Sequence, residues 1–167
     1  MTHHTVYIGL GANLGDRAAY LARALGELDA IVRVRACSAV YETEPVGYEN
    51  QGWFLNMAVQ AGADDGPRQL LGKLKAVEQR MGREPSVKNG PRCIDLDLLL
   101  YDDRILNEPD LVVPHPGIPD RGFVLVPLCD IAPDLMHPVL RQPVRRLLER
   151  IRGSAQVRPW PHTLPLP

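Results

Sequence analysis

Aromatic residues are scarce in this 167-residue chain, which has two Phe, five Tyr and two Trp. A broad base-stacking platform for single-stranded nucleic acid is therefore not expected. The net charge of −1 and the lack of a basic block point the same way, because nucleic-acid binding by electrostatics needs a cationic surface. Cysteine is scarcer still: Cys37, Cys93 and Cys129 are odd in number, widely spaced and form no C-x-x-C pair. That excludes a disulfide framework and fits reduced thiols, hence a cytoplasmic protein. No apolar run approaches the roughly 20 residues of a membrane span. The N-terminus lacks the basic region and long apolar run of a signal peptide, and His3 and His4 are too few to make a metal site.

What is present is concentrated in Gly90–Leu100, G-P-R-C-I-D-L-D-L-L-L. Ile94, Leu96 and Leu98 alternate with Asp95 and Asp97, so a strand here buries the aliphatics and turns both carboxylates to the other face. The two acids stand roughly 6.6 Å apart at their Cα atoms. Hard oxygen ligands so placed suit Mg²⁺, which takes one or two carboxylates plus substrate phosphates. Arg92 at the mouth of the strand is a planar donor suited to phosphate. A half-buried strand with two solvated acids fits this segment equally, and D-x-D pairs also serve glycosyl transfer and nuclease chemistry.

The remaining pattern supplies the frame. Val6, Ile8 and Leu10 alternate in a first strand that leads into the glycine turn Gly9–Gly15. That turn fails the Walker A and dinucleotide patterns, so it reads as a tight strand-to-helix connection. A helix runs from near Asp16 to about Asp29 on Leu21, Leu25 and Leu28. A second strand spans Val32 to Tyr41, and a loop follows to Gly52. The third strand, Trp53 to Ala61, has Leu55, Met57, Val59 and Ala61 on its core face and Phe54, Asn56, Ala58 and Gln60 opposite. Phe54 and Asn56 suit a flat ring and its edge, although a satellite hydrophobic contact is the plainer account of that pair alone. Pro67 opens a second helix on Leu70, Leu74, Val77 and Met81, ended by Gly82. The polar stretch Gly82–Gly90, with Arg83 and Lys88, is placed to be a basic lid over an anion, or else a solvated loop.

Strand, helix, strand, strand, helix, strand is the ferredoxin-like βαββαβ order of an α+β fold, with helices on one sheet face and the other face left open. That open face gathers Phe54, Asn56, Asp95 and Asp97. After it come a short hairpin near Ile105, a loop carrying His115, an apolar helix entered through Arg121 and Phe123, and a short helix from Pro143 to Ile151. One domain over 1–167 is expected, with 154–167 a Pro-rich tail, extended and open to disorder.

Read together, the segments Y-I-G-L-G-A-N-L-G-D-R, Y-E-T-E-P-V-G, F-L-N-M-A-V, G-P-R-C-I-D-L-D-L-L-L, V-P-H-P and R-G-F-V-L-V-P-L-C-D-I-A-P-D-L resemble the 6-hydroxymethyl-7,8-dihydropterin pyrophosphokinases of folate biosynthesis. The resemblance covers about Val6 to Val139, and the G-P-R-x-x-D-x-D strand with P-H-P and R-G-F carries most of its specificity. It implies transfer of pyrophosphate from ATP to the hydroxymethyl group of a reduced pterin, releasing AMP. It implies two Mg²⁺ ions on Asp95 and Asp97, with Arg83 and Arg92 as catalytic arginines. Lys88, Arg92, His115 and Arg121 would bind ATP. Phe54 and Phe123 would sandwich the pterin, with Asn56, Thr43 and Val46 at its edge. No nucleic acid, membrane or second subunit is implied.

The chain departs from the family's pattern in places. Asn89 stands where members often carry Trp. Asp110, Val112 and Pro116 replace an Arg, a hydroxyl and an aromatic found in some members, which puts nucleotide contacts in question. The alternatives are another Mg²⁺-dependent nucleotide-using transferase, or a non-catalytic ferredoxin-like binding module. The second is opposed by the Asp95–Asp97 pair, which would repel RNA phosphates.

Overall fold

The computed structural model describes residues 3–47, 50–83, 90, 92–151 and 156–164. The chain opens with strand β1 (His4–Ala12), whose Val6, Ile8 and Leu10 are fully buried on one face. Helix α1 (Arg17–Leu28) starts where the Asp16 carboxylate accepts a hydrogen bond from Ala19 N at 3.1 Å, the usual N-cap arrangement. Strands β2 (Arg33–Cys37) and β3 (Tyr41–Thr43) precede the long β4 (Phe54–Ala63). Helix α2 (Pro67–Arg80) has Pro67 in its first turn, where no intrahelical N–H is needed. It stops before Gly82, whose φ of +86° lies in the left-handed region that glycine tolerates. Strand β5 (Asp95–Tyr101) then completes the antiparallel sheet, in the order β5-β1-β4-β3 with β2 also on β4.

Both helices bury their stripes on one sheet face, where Leu21, Leu28, Leu70, Leu74 and Val77 meet Ile8, Leu10, Leu55, Val59 and Leu96. Each fully buried aliphatic side chain contributes about 1.5–3 kcal/mol. This is the expected ferredoxin-like α+β frame, but four features differ from the expectation.

β1 runs on to Ala12, so Gly9 and Gly11 lie inside the strand rather than in a turn. The expected strand Val32–Tyr41 divides at Ser38, whose N–H still donates to Ala58 O but whose hydroxyl, in place of a backbone carbonyl, accepts from Ala58 N at 2.9 Å.

The opposite sheet face is also not left open. After the hairpin β6 (Leu106–Glu108) and β7 (Leu111–Val113), helix α3 (Gly122–Ile131) lies across it, backed by α4 (Val144–Arg150). Val124, Leu125, Leu128, Val144 and Leu147 form a second core with Tyr7, Ala58, Leu99 and Leu100. The run Leu98-Leu99-Leu100 feeds both cores because the β1–β5 register shifts there: Ile8 pairs with Leu98 and Tyr7 with Leu100. The extra residue, Leu99, reverses the alternation.

Finally, the tail is structured over part of its length. Val157–Pro159 form β8, paired with β3 at the sheet edge.

Candidate active site

The part of the second face that α3 leaves uncovered is a pocket of about 200 Å³. Its floor is set by register. Asp95, Gly11 and Asn56 stand abreast on β5, β1 and β4, and Asp97, Gly9 and Ala58 form the next row. Adjacent strands are about 4.8 Å apart, so the acids and the amide face each other across a strip without side chains. Glycine is required there, because a Cβ on Gly11 would lie 2.5 Å from Asn56 Oδ1.

Eleven of the twelve expected site residues lie within the described residues. Thr43, Val46, Phe54, Asn56, Arg92, Asp95, Asp97, His115, Arg121 and Phe123 line this one pocket. Arg83 stands at its edge, its guanidinium 3.3 Å from Asp95 Oδ1. Lys88 lies outside the described residues, as do Asn89 and most of the expected Gly82–Gly90 lid.

Each side chain has a local anchor. Asn56 Nδ2 donates to Thr43 Oγ1 at 2.6 Å, which fixes the amide across the β3–β4 ladder. The backbone of Arg92 exchanges bonds with Asn13, donating to Asn13 Oδ1 at 2.8 Å and accepting from Asn13 N at 3.0 Å. Asn13 Nδ2 also donates to Gly52 O at 3.1 Å, tying the mouth of β5 to the loop before β4. The bulged Leu99 carbonyl accepts from His115 N at 2.9 Å, so the irregularity in β5 sets the position of this histidine. His115 Nδ1 accepts from Gly117 N at 3.0 Å, which leaves Nε2 to carry the ring proton. Arg121 stands at the N-cap position of α3, where its side chain makes no capping hydrogen bond and instead lies 5.5 Å over the Phe123 ring.

The electrostatics divide the pocket. Asp95 lies between Arg83 and Arg92, the latter 3.4 Å from its Oδ2. Burial, then the charge of Asp95, push the Asp97 carboxyl up to about 7. Burial and the nearby Arg121 lower His115, favouring its neutral form. The Nε of Arg92 is buried without a hydrogen-bond partner. A cation beside the two acids, and an anion beyond them, would answer both tensions.

Among the described residues no group of three acids, histidines or cysteines could hold a metal by itself. Two carboxylates completed by phosphate oxygens and water are a donor set that suits Mg²⁺.

Sequence reasoning missed three contributors. Gly9 and Gly11 could have been found from their spacing of two within the alternating stretch V-Y-I-G-L-G-A. Glu78 could have been found from helical periodicity, because 70, 74 and 78 share one face of α2. Only 2% exposed, Glu78 accepts from Leu96 N at 2.7 Å and from Arg83 Nη1 at 2.7 Å. Burial raises its pKa, so it is a further acid behind Asp95 and Asp97.

A family model described as 7,8-dihydro-6-hydroxymethylpterin-pyrophosphokinase (HPPK) matches residues 7–133. Among similar proteins is the 2-amino-4-hydroxy-6-hydroxymethyldihydropteridine pyrophosphokinase of Methylorubrum extorquens. It is 46% identical over 150 residues, 89% of this chain and 94% of the relative. The protein of the same description from Aquifex aeolicus is 43% identical over 141 residues, 84% of this chain and 88% of the relative. The folic acid synthesis protein fol1 of Schizosaccharomyces pombe is 40% identical over 147 residues, 87% of this chain but only 20% of that protein. Among solved structures, Plasmodium falciparum HPPK-DHPS with pterin and p-hydroxybenzoate superposes with a TM-score of 0.73 at 17% identity. That likeness covers 90% of this chain and 42% of the other, and it supports the fold.

Proposed function

Because the chain belongs to the 7,8-dihydro-6-hydroxymethylpterin-pyrophosphokinase family, we propose that this pocket is where it carries out the family's reaction. The protein is an ATP-dependent pyrophosphokinase of folate biosynthesis. Pyrophosphate passes from ATP to the hydroxymethyl group of 6-hydroxymethyl-7,8-dihydropterin, and AMP is released. The observation that carries the site is convergence: two acids, three cations or neutral donors and two aromatic rings from four segments share one cavity.

The reading assigns the pterin ring to the slot between Phe54 and Phe123, with Asn56, Thr43 and the backbone near Val46 at its edge. Aromatic faces prefer such stacking, and the flat Gly9–Gly11 floor leaves room for a ring beside the acids. Arg92, His115 and Arg121 hold the triphosphate, the arginines by charge and His115 by its Nε2–H. Lys88 is assigned as a further phosphate contact. Asp95 and Asp97 would hold two Mg²⁺ ions, which would supply the charge neutralisation that phosphoryl-type transfer needs. The protein's own share is alignment: β5 and β4 fix the acids and the ring in one frame, so attacking and leaving oxygens meet in line. Arg83, poised on Asp95 and Glu78, supplies a cation for the charge that develops during transfer.

Residues 1–167 act as one domain and a monomer in this reading. No helix among the described residues is long and apolar enough to cross a membrane, and a cytoplasmic site of action belongs to the same proposal. Incubation with ATP, magnesium and hydroxymethyldihydropterin tests it. AMP should form in step with product, and appearance of ADP instead would overturn the reaction type.

A further inference from the structure

The C-terminal strand β8 lies beyond the 7–133 stretch matched by the family model, and none of its residues lines the pocket. It nevertheless touches three of the segments that build the pocket's ring side. Thr43 of β3 pairs with Val157 and Glu42 with Arg158. At the start of the next loop, Glu44 N donates to Gln156 O at 3.0 Å, and Gln156 N donates back to Glu44 Oε2 at 2.9 Å. Glu44, which this exchange anchors, is a pocket residue, as is Val46 two residues on. On the other wall, a Cβ on Gly122 would meet Val157 Cγ2 at 3.3 Å, so α3 starts in packing contact with β8, one residue before Phe123.

Arg158 extends this reach. Its Nη2 donates to Glu42 Oε1 at 2.7 Å, and its guanidinium lies 4.4 Å over the Trp53 ring. Arg17 Nη1 donates to the other oxygen of Glu42 at 2.8 Å and to Trp53 O at 3.0 Å. Trp53 immediately precedes Phe54. The network therefore fixes from outside the backbone that presents Phe54, while Trp160 N donates to Val40 O at 3.0 Å and fastens the far end of the strand.

We propose that β8 is a positioning element for the pterin slot, acting through Arg158, Glu42 and Trp53. It rests on the assignment of that slot to the pterin. Without β8, the three-residue β3 is an edge strand paired with β4 alone and tied to α3 through Tyr41 and Asp130, and the Thr43–Asn56 pair and the 44–47 loop lose their outer support. The acids and His115 sit on β5 and the β7–α3 connection, and none of them bonds to Arg158, Glu42 or Trp53. Removing the Arg158 side chain therefore falls chiefly on the pterin side of the pocket.

The test uses the full chain carrying Arg158→Ala or Arg158→Lys. Turnover is followed as AMP formation, and pterin binding by fluorescence titration. Arg158→Ala should raise pterin KM and Kd by roughly three- to tenfold, the factor that one cation–π contact plus one exposed ion pair can supply. KM for ATP and kcat should stay within about twofold of wild type. Arg158→Lys keeps the charge opposite Glu42 but not the planar stack, and should fall between. An unchanged pterin Kd in Arg158→Ala overturns the proposal, as does an equal loss for both substrates, which a merely structural role produces. Wild-type protein that binds pterin but forms no AMP refutes the reaction reading instead, and the titrations still decide this one.

Discussion

Burial and the neighbouring charge of Asp95 push the Asp97 carboxyl up to about 7 from an ordinary 3.8, so the folded chain binds this proton more tightly than the unfolded chain. The resulting stabilisation is fully present below pH 3.8 and is lost as the pH rises through about 7. In metal-free buffer, Asp97→Asn should therefore be more stable than wild type at pH 8, by at least about 2 °C in Tm, the shift that ~1 kcal/mol produces in a chain of this size. Near pH 4 the two should melt together. Calorimetric scans at both pH values check this, and an equal difference at both would show that the effect is not the carboxyl's charge. The same variant should lose turnover if Asp97 holds magnesium.

At the scale of elements, α2 and β5 are clamped by one buried side chain. The Glu78 carboxylate takes the Leu96 N–H with one oxygen and Arg83 with the other, 3.3 Å from Lys75 Nζ as well. Removing it leaves a buried backbone donor unsatisfied, which costs about 1–3 kcal/mol. Glu78→Ala should accordingly lower stability by that amount, while Glu78→Gln, which still accepts from Leu96 N, should recover most of it. Chemical denaturation of the two variants compares them directly. If the Gln variant is as unstable as the Ala variant, the charge on Arg83 and not the Leu96 bond is what Glu78 serves. The Leu99 bulge is a second device at this scale, moving one leucine to the other core and offering its carbonyl to His115.

The whole molecule is a sheet with a core on each face, and neither core contains the two acids. Metal should then matter to catalysis and not to folding. Chelation with EDTA should abolish AMP formation and leave the Tm of the apo protein unchanged. ATP with magnesium at about 100 times its Kd should raise Tm by roughly 5–10 °C, the equivalent of ~2.7 kcal/mol. ATP with EDTA should raise it far less. Thermal melts in the four conditions read this out, and stabilisation by ATP that is indifferent to magnesium would remove the metal from the site.

The sequence by itself determined the elements whose periodicity is strong and local. The stripes of α1 and α2, the alternation of β1, β4 and β5, the Asp16 cap and the Gly82 stop are all backbone-scale patterns with one low-energy reading. Side-chain alternation alone also placed Asp95, Asp97, Phe54 and Asn56 on one face, because in a strand a residue's face follows from counting by two. Tertiary structure alone decided where that alternation breaks and what covers the face. The Leu99 bulge depends on the partner strand's register, and the split at Ser38 on a hydroxyl meeting Ala58 N. The place of α3 follows from burying an apolar helix against Ala58 and Leu99, which no local pattern states. Glu78 was on the buried stripe of α2, but only Leu96 N and Arg83, 18 and five residues further on, explain why a carboxylate can be there. The strand β8 was unreadable for the same reason. A segment of Val-Arg-Pro carries almost no propensity of its own, and it becomes a strand because β3 offers it an unpaired edge.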